Sequence, residues 1–316
     1  MLLSILIPTY NRSYYLQKNL ESLTEFVLNT DETDKIEIIV SNNCSSDDTH
    51  HVIPNLIESH STVIFRYFLQ SQNIGLEKNA LFTLSQAKGE FVMYLGDDDY
   101  IENNYLQEIL SNIKKNKNLG NIIPSYMAID VNKNNLGFGR DLNLQNAYFK
   151  AGFENCLNNS WRGHQLSGLV LKRDGLYNAY NNNCVNNIYL FIYFVSYNCL
   201  RGDTIHITNY PVKVTQPGQQ NKDWGYGKDG LVSEIFDNYK KLKGINIFER
   251  SKLEIKLLDV QDWRYTSYRQ LSHLKLLRAI LLITFGKNTS VLTKVQFPLL
   301  LIKKIFIKIT TSGNPL

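Results

Sequence analysis

Over the first hundred residues, short apolar runs alternate with segments whose apolar positions recur every three or four residues. Residues 2–7 are apolar except for Ser4 and stop at Pro8, too short a run for a helix and closed by a residue without a backbone N–H. That pattern predicts a buried strand. Leu16, Leu20, Leu23 and Val27 then mark one face of a helix. Residues 36–40 predict a second strand, followed by the polar turn 41–48, and Val52, Ile53, Leu56 and Ile57 give a second helical stripe. Residues 63–69 predict a third strand and 80–87 a helix that ends before Gly89. Residues 91–95 predict a fourth strand, running into Gly96 and three aspartates. Alternation with turns this short predicts an α/β fold, a mostly parallel sheet with helices on both faces. Ligands of such sheets sit at the carboxyl edge of the strands, where the polar turns after strands one, two and four fall.

Beyond residue 100 the pattern loosens. Residues 168–171 and 204–211 predict strands and 188–200 an apolar helix; 216–230, with Gly218, Gly225, Gly227 and Gly230, predicts a mobile loop. From residue 232 onward the periodicity is helical. At 316 residues, 43% hydrophobic and 20% charged, the composition is that of a globular chain and excludes a disordered or fibrous one. Four cysteines without a C-x-x-C pair argue against a zinc site or a disulfide framework and fit a reducing compartment. No apolar run reaches the roughly 18–20 residues of a membrane span. The first residues lack the basic region of a signal sequence, so the expected location is cytoplasmic.

The net charge of +5 hides an asymmetry. Residues 1–263 hold 25 basic and 29 acidic residues, a net of −4, whereas 264–316 hold nine bases and no acid. In that tail Leu271, Leu274, Leu277, Leu281 and Leu282 line one helical face, with Arg269, Lys275 and Arg278 between them. A second stretch, 295–309, carries Lys303, Lys304 and Lys308. Two readings follow: contact with an anionic membrane surface, or packing of the leucines on the body or on a second subunit. Nucleic acid is not expected, because no aromatic–basic binding surface accompanies the charge.

Asp97, Asp98 and Asp99 are the sharpest local feature. Three carboxylates after a buried strand repel one another unless a hard cation such as Mg²⁺ or Mn²⁺ offsets them, or unless the turn is simply solvated. Pro8, Thr9, Tyr10, Asn11 and Arg12 follow the first strand, and Ser41, Asn42, Asn43, Cys44, Ser45, Ser46 and Asp47 the second. Asn73, Gly75, Glu77, Lys78 and Asn79 follow the third. In this order and spacing the chain resembles the family 2 glycosyltransferases, inverting enzymes of the GT-A fold that use nucleotide-sugars. The likeness covers residues 1–105 and continues loosely to about 215. It implies that residues 8–12 form the first nucleotide-contacting loop, with Tyr10 against the base, and that Asn42 stands in the uracil-reading turn. Asn73, Gly75, Lys78 and Asn79 match the segment near the ribose and diphosphate. Asp97 falls within the nucleotide-binding acidic motif, and Asp98 and Asp99 match its metal ligands, Asp98 foremost, for Mn²⁺ or Mg²⁺. Many members have Asp where this chain has Asn42, which keeps an acceptor oxygen but removes charge. A UDP-sugar is the expected donor.

Relatives usually carry a Glu-Asp pair in the acceptor half, the Asp serving as general base. The matching position here is Asn187, and an amide cannot take a proton at neutral pH. His164 has a suitable ordinary pKa and stands as the alternative base. The resemblance thus implies a nucleotide-binding half at 1–105, an acceptor half at 106–231 and a helical basic extension at 232–316. The implied function is transfer of a hexose-type sugar, with inversion, to a lipid-linked or surface-polysaccharide acceptor, in the cytoplasm or on the inner face of the cell membrane. The competing reading is a non-catalytic glycan-assembly protein on the same fold, lacking the usual base.

Overall fold

The computed structural model describes residues 1–216 and 225–312, with side chains as far as residue 305. The first half runs β1 (Leu3–Thr9), α1 (Ser13–Leu28), β2 (Ile36–Asn42), α2 (Thr49–Ser59), β3 (Ile64–Leu69), α3 (Leu76–Gln86), β4 (Phe91–Tyr94) and α4 (Asn103–Lys115). There follow β5 (Leu119–Ile129), β6 (Asn135–Arg140), β7 (Ala147–Phe149), α5 (Phe153–Asn159), β8 (Val170–Lys172), α6 (Leu176–Asn182), α7 (Leu190–Cys199) and β9 (Asp203–Thr215). The chain ends in α8 (Val232–Lys241), α9 (Ile247–Val260), α10 (Trp263–Thr266), α11 (His273–Phe285) and α12 (Val291–Ser312). Most of the expected mobile loop, residues 217–224, lies outside the described residues.

All nine strands join one sheet in the order β3-β2-β1-β4-β8-β5-β9-β7, with β6 on the outer side of β5. The expected α/β architecture is present. β3, β2, β1 and β4 are parallel, in a register that sets Leu6 beside both Ile39 and Tyr94. β8 then enters antiparallel between β4 and β5, while β5 and β9 are again parallel. β8 falls on the strand expected at 168–171, whereas β7, only three residues long, carries no period of its own and is not legible in the sequence.

Alternation along β1 builds two cores. Leu3, Ile5 and Ile7 face α1, α2 and α4, joining Leu16, Leu20 and Leu106. Leu6 faces the other way, with Tyr94, Phe191, Phe194, Phe236 and Leu257. Gly89 lets β4 begin against β1: a Cβ there would stand 2.5 Å from the Phe91 carbonyl oxygen and 2.6 Å from the Ser4 nitrogen.

The basic tail does two things at once. Its inner side packs: Ala279, Ile283 and Phe297 are buried, and the Phe297 ring meets Tyr265 edge-on at 5.4 Å. Its outer side stays bare, with Leu271, Leu274, Leu277, Phe285, Val295 and Leu299 each more than half exposed. No helix among the described residues is long and apolar enough to cross a membrane.

Because Phe297 is fully enclosed, Phe297→Ala should cost about 3–5 kcal/mol of unfolding free energy. Denaturant titration measures this directly. An unchanged midpoint would mean that α12 does not contribute to the core.

Candidate functional site

At the carboxyl edge the turns after β1 and β2 are stitched together. Asn11 takes a positive φ of 55°, which Asn tolerates, and its N–H donates to Ser45 Oγ at 2.9 Å. Its side-chain oxygen accepts from the Ser46 N–H at 2.7 Å, and the Ser13 N–H donates to Asp47 Oδ2 at 3.0 Å. Pro8 and Thr9 are buried in strand register with Ser41 and Asn42, whereas the Tyr10 side chain stands 40% exposed beyond them. Arg12 Nε is buried with no hydrogen-bond partner among the described residues.

Two of the expected nucleotide contacts are internal struts. Asn42 is fully buried; its amide donates to Tyr67 Oη at 2.9 Å and its oxygen accepts from the Ser45 N–H at 2.9 Å. Asn79 accepts from Ser41 Oγ at 2.7 Å and donates to the Ser41 carbonyl at 3.0 Å, locking α3 to β2. Asn73 accepts from Asn43 Nδ2 at 2.8 Å and from the Gly75 N–H at 2.9 Å. Gly75 has φ +83° with open space where a Cβ would sit, so backbone conformation rather than crowding calls for glycine. Lys78 lies exposed on the first turn of α3.

The acidic turn after β4 is enclosed by remote parts of the chain. Thr9 Oγ1 donates to Asp97 Oδ2 at 2.7 Å. Asn19 Nδ2 donates to the carbonyls of Gly96 and Asp99 at 3.0 and 2.7 Å. Asp99 accepts from Ser167 Oγ, from Gln165 Nε2 at 3.3 Å and from the Thr215 N–H at 2.9 Å, while Thr215 Oγ1 donates to the Asp98 carbonyl. Asp97 and Asp99 are buried and Asp98 is half-buried. Burial, then the neighbouring Asp98 charge, raises Asp97 to about 8 and Asp99 to about 7, against the pull of Thr9 on the one and Ser167 on the other. An all-oxygen donor set whose charges are mutually unfavourable suits a hard divalent cation; Asp97 Oδ2 and Asp99 Oδ1 each accept one hydrogen bond and keep a second lone pair, whereas Asp99 Oδ2 already accepts two.

Beyond Asp99 opens a cleft of about 250 Å³, walled by Tyr126, His164, Tyr189, Tyr226, Trp263 and Arg264 among others. His164 Nδ1 faces the Trp161 carbonyl at 3.1 Å. The proton therefore sits on Nδ1, and the lone pair on Nε2. Burial first, then Arg140 and Arg264, hold its pKa well below 6.5. Behind this wall Asp141 Oδ2 accepts from Arg162 Nε at 2.7 Å and lies 3.2 Å from His206 Nε2.

Asn187 is buried and fully engaged. Its amide exchanges hydrogen bonds with Asn238 at 3.0 and 3.2 Å, and its oxygen caps the Tyr189 N–H at 3.0 Å. Its own N–H donates to Glu77 Oε1 at 3.0 Å, which also accepts from Tyr180 Oη at 2.5 Å. A carboxylate thus reaches the Asn187 backbone from α3. Burial raises the Glu77 pKa, partly offset by those two donors. The residues around Asn187 in sequence give no sign of this carboxylate, because Glu77 arrives from 110 residues upstream. Ser167, Thr215 and Asn19 were equally invisible, being ordinary polar residues whose partners only the fold supplies.

The family model described as Glycosyl transferase family 2 matches residues 4–169. The GalNAc(5)-diNAcBac-PP-undecaprenol beta-1,3-glucosyltransferase of Campylobacter jejuni is 40% identical over 109 residues, 34% of this chain and 33% of that protein. Abequosyltransferase RfbV of Salmonella typhimurium is 37% identical over 100 residues, 31% of this chain and 28% of that protein. The matches thus span about a third or less of these relatives' own lengths. Among solved structures, S. aureus TarS 1-349 in complex with UDP-GlcNAc aligns with a TM-score of 0.66 at 17% identity, over 90% of this chain and 80% of that one. The mannosyltransferase PcManGT from Pyrobaculum calidifontis, in complex with GDP-Man and Mn²⁺, aligns with a TM-score of 0.55 at 13% identity, over 90% and 87%. At those identities the structures speak for the fold, and the family follows from the sequence model, which covers more than half of the chain. On that sequence match, this chain belongs to glycosyl transferase family 2.

Proposed function

We propose that the chain transfers a hexose-type sugar, with inversion, from a nucleotide-sugar to a glycan or lipid-linked acceptor, with Mn²⁺ or Mg²⁺ at the acidic turn. The observation that carries this reading is the meeting, at one sheet edge, of the 8–12 turn and the acidic turn, joined through Thr9 and Asp97. UDP is the favoured nucleotide, as in the UDP-GlcNAc complex of TarS. In this reading residues 1–105 carry the donor half, 106–231 the acceptor half and 232–316 the helical extension.

Tyr10 offers an exposed ring for a nucleobase to stack on. Arg12, with its unpartnered Nε, and the exposed Lys78 supply positive charge toward a diphosphate. Asn42 and Asn79 serve the nucleotide by shaping the turns that meet it. Asp98, with Asp99 and Asp97 beside it, would hold the cation; bound there, a divalent ion offsets the carboxylates and the charge on a leaving diphosphate. His164 Nε2 is the group assigned to take the proton of the acceptor hydroxyl. A second reading, favoured by its contact with Asn187, gives that task to Glu77.

The reading extends to the inner face of the cell membrane. The bare leucines of α11 and α12, in a segment with nine bases and no acid, suit an anionic bilayer.

Turnover of UDP- and GDP-sugars with Mn²⁺, with and without EDTA, tests the activity itself. Asp98→Asn should lose metal-dependent turnover by several kcal/mol of barrier, about a thousandfold or more, while keeping the wild-type melting temperature; wild-type turnover would remove the metal assignment. His164→Ala should lower turnover about 10²–10⁴-fold with donor binding unchanged. With the His164 pKa depressed below 6.5, the wild-type rate at saturating Mn²⁺ should be level through neutrality and fall only on the acid side of that value. If His164→Ala turns over normally while Glu77→Gln does not, the second reading replaces the first. For the membrane face, the protein should pellet with anionic-lipid vesicles and be released by high salt. Leu274→Asp with Leu277→Asp should weaken this about a hundredfold, taking about 1.5 kcal/mol per lost leucine. Vesicles that never retain the wild-type protein would end the membrane reading.

A further inference from the structure

Arg264 stands apart from the catalytic assignments. It lines the cleft yet is 1% exposed, a rare situation for an arginine. Its Nε donates to Gln261 Oε1 at 2.6 Å, and Nη1 donates to Tyr189 Oη at 3.0 Å and to the Gly230 carbonyl at 2.8 Å. Its Nη2 has no hydrogen-bond partner among the described residues. The guanidinium carbon lies 4.7 Å from the Tyr189 ring centroid and 4.6 Å from that of Trp263. Such rings offset part of the charge but leave the Nη2 protons without an in-plane acceptor.

The rest of the wall gives this charge its meaning. No carboxylate lines the cleft among the described residues, and His164 is held neutral, so Arg264 is the one ionised group of that wall. The surfaces around it are Tyr126, Tyr189, Tyr226 and Trp263, flat rings suited to the apolar faces of a sugar. A buried guanidinium with one nitrogen, Nη2, left without an acceptor is matched by an oxyanion.

We propose that this cleft is an acceptor subsite for a sugar bearing an anionic substituent, a carboxylate or a phosphate, whose oxygen pairs with Arg264 Nη2 while its ring stacks on the aromatic wall. The assignment rests on the glycosyl-transfer reading for calling the ligand an acceptor, and it goes further by fixing the acceptor's charge. Because Arg264 also ties Gly230 and Tyr189 together, the anion would brace the segment from 225 to 231 against α10. No bond is made or broken in this step.

Calorimetric titration of the full chain, with UDP and Mn²⁺ saturating so that the donor site is filled, tests it. The probes are methyl glucuronide, glucose 6-phosphate and neutral methyl glucoside. One or both charged sugars should bind about tenfold or more tightly than the neutral one, and the two arms separate carboxylate from phosphate. Arg264→Gln should abolish the preference while leaving UDP and methyl glucoside binding intact. Arg264→Lys, which keeps the charge and loses the fork, should retain only part of it and covers the case in which the glutamine variant does not fold. Equal affinity for charged and neutral sugars in the wild type, or an undiminished preference in either variant, overturns the proposal. A failure of UDP with Mn²⁺ to bind at all would instead count against the glycosyl-transfer reading.

Discussion

The rest of the site depends on the enclosure of the acidic turn. Two aspartates buried beside a third cost the fold stability, since burial and mutual repulsion both disfavour their charged forms. They are held in place by donors from parts of the chain far apart in sequence: Thr9 from β1, Asn19 from α1, Ser167 and Gln165 ahead of β8, and Thr215 at the end of β9. The antiparallel entry of β8 beside β4 is what brings Ser167 to this turn. The sheet topology and the chemistry of the turn are one constraint seen at two scales.

The same constraint separates residues that shape from residues that meet a ligand. Asn42 and Asn79 spend their hydrogen-bonding groups on neighbouring strands and helices, while Tyr10 and Lys78 remain exposed at the same edge. On the far side of Asp99, Gln165 belongs both to the enclosure and to the cleft wall, linking the acidic turn to His164 and Arg264. The helical tail completes that wall from outside: Trp263 and Arg264 stand at the start of α10, whose Tyr265 packs on Phe297 of α12. A segment that looks like an appendage in sequence thus helps to form the cleft.

The N-terminal parallel strands were legible because each is a short, largely apolar run followed by a polar turn. β5 was missed although it is 11 residues long and runs parallel to the 13-residue β9, because Asn121, Pro124 and Ser125 break its apolar run. The acidic turn and the paired turns before it were legible as motifs, but their enclosure was not. Nothing in the spelling of Ser167 or Thr215 distinguishes a residue bonded to Asp99 from one facing water. Arg264 was counted as one of nine tail charges, and only its burial sets it apart. Of the two readings of the tail, packing is seen on the inner side of α11 and α12, whose outer side leaves apolar residues bare.

The most direct test of the central claim is a crystal structure of the full chain grown with UDP and Mn²⁺, read through the anomalous signal of manganese. The account predicts one manganese peak against the carboxylates of residues 97–99 and a nucleotide whose base lies on Tyr10. A well-ordered nucleotide bound elsewhere, or manganese bound away from Asp98, would contradict it.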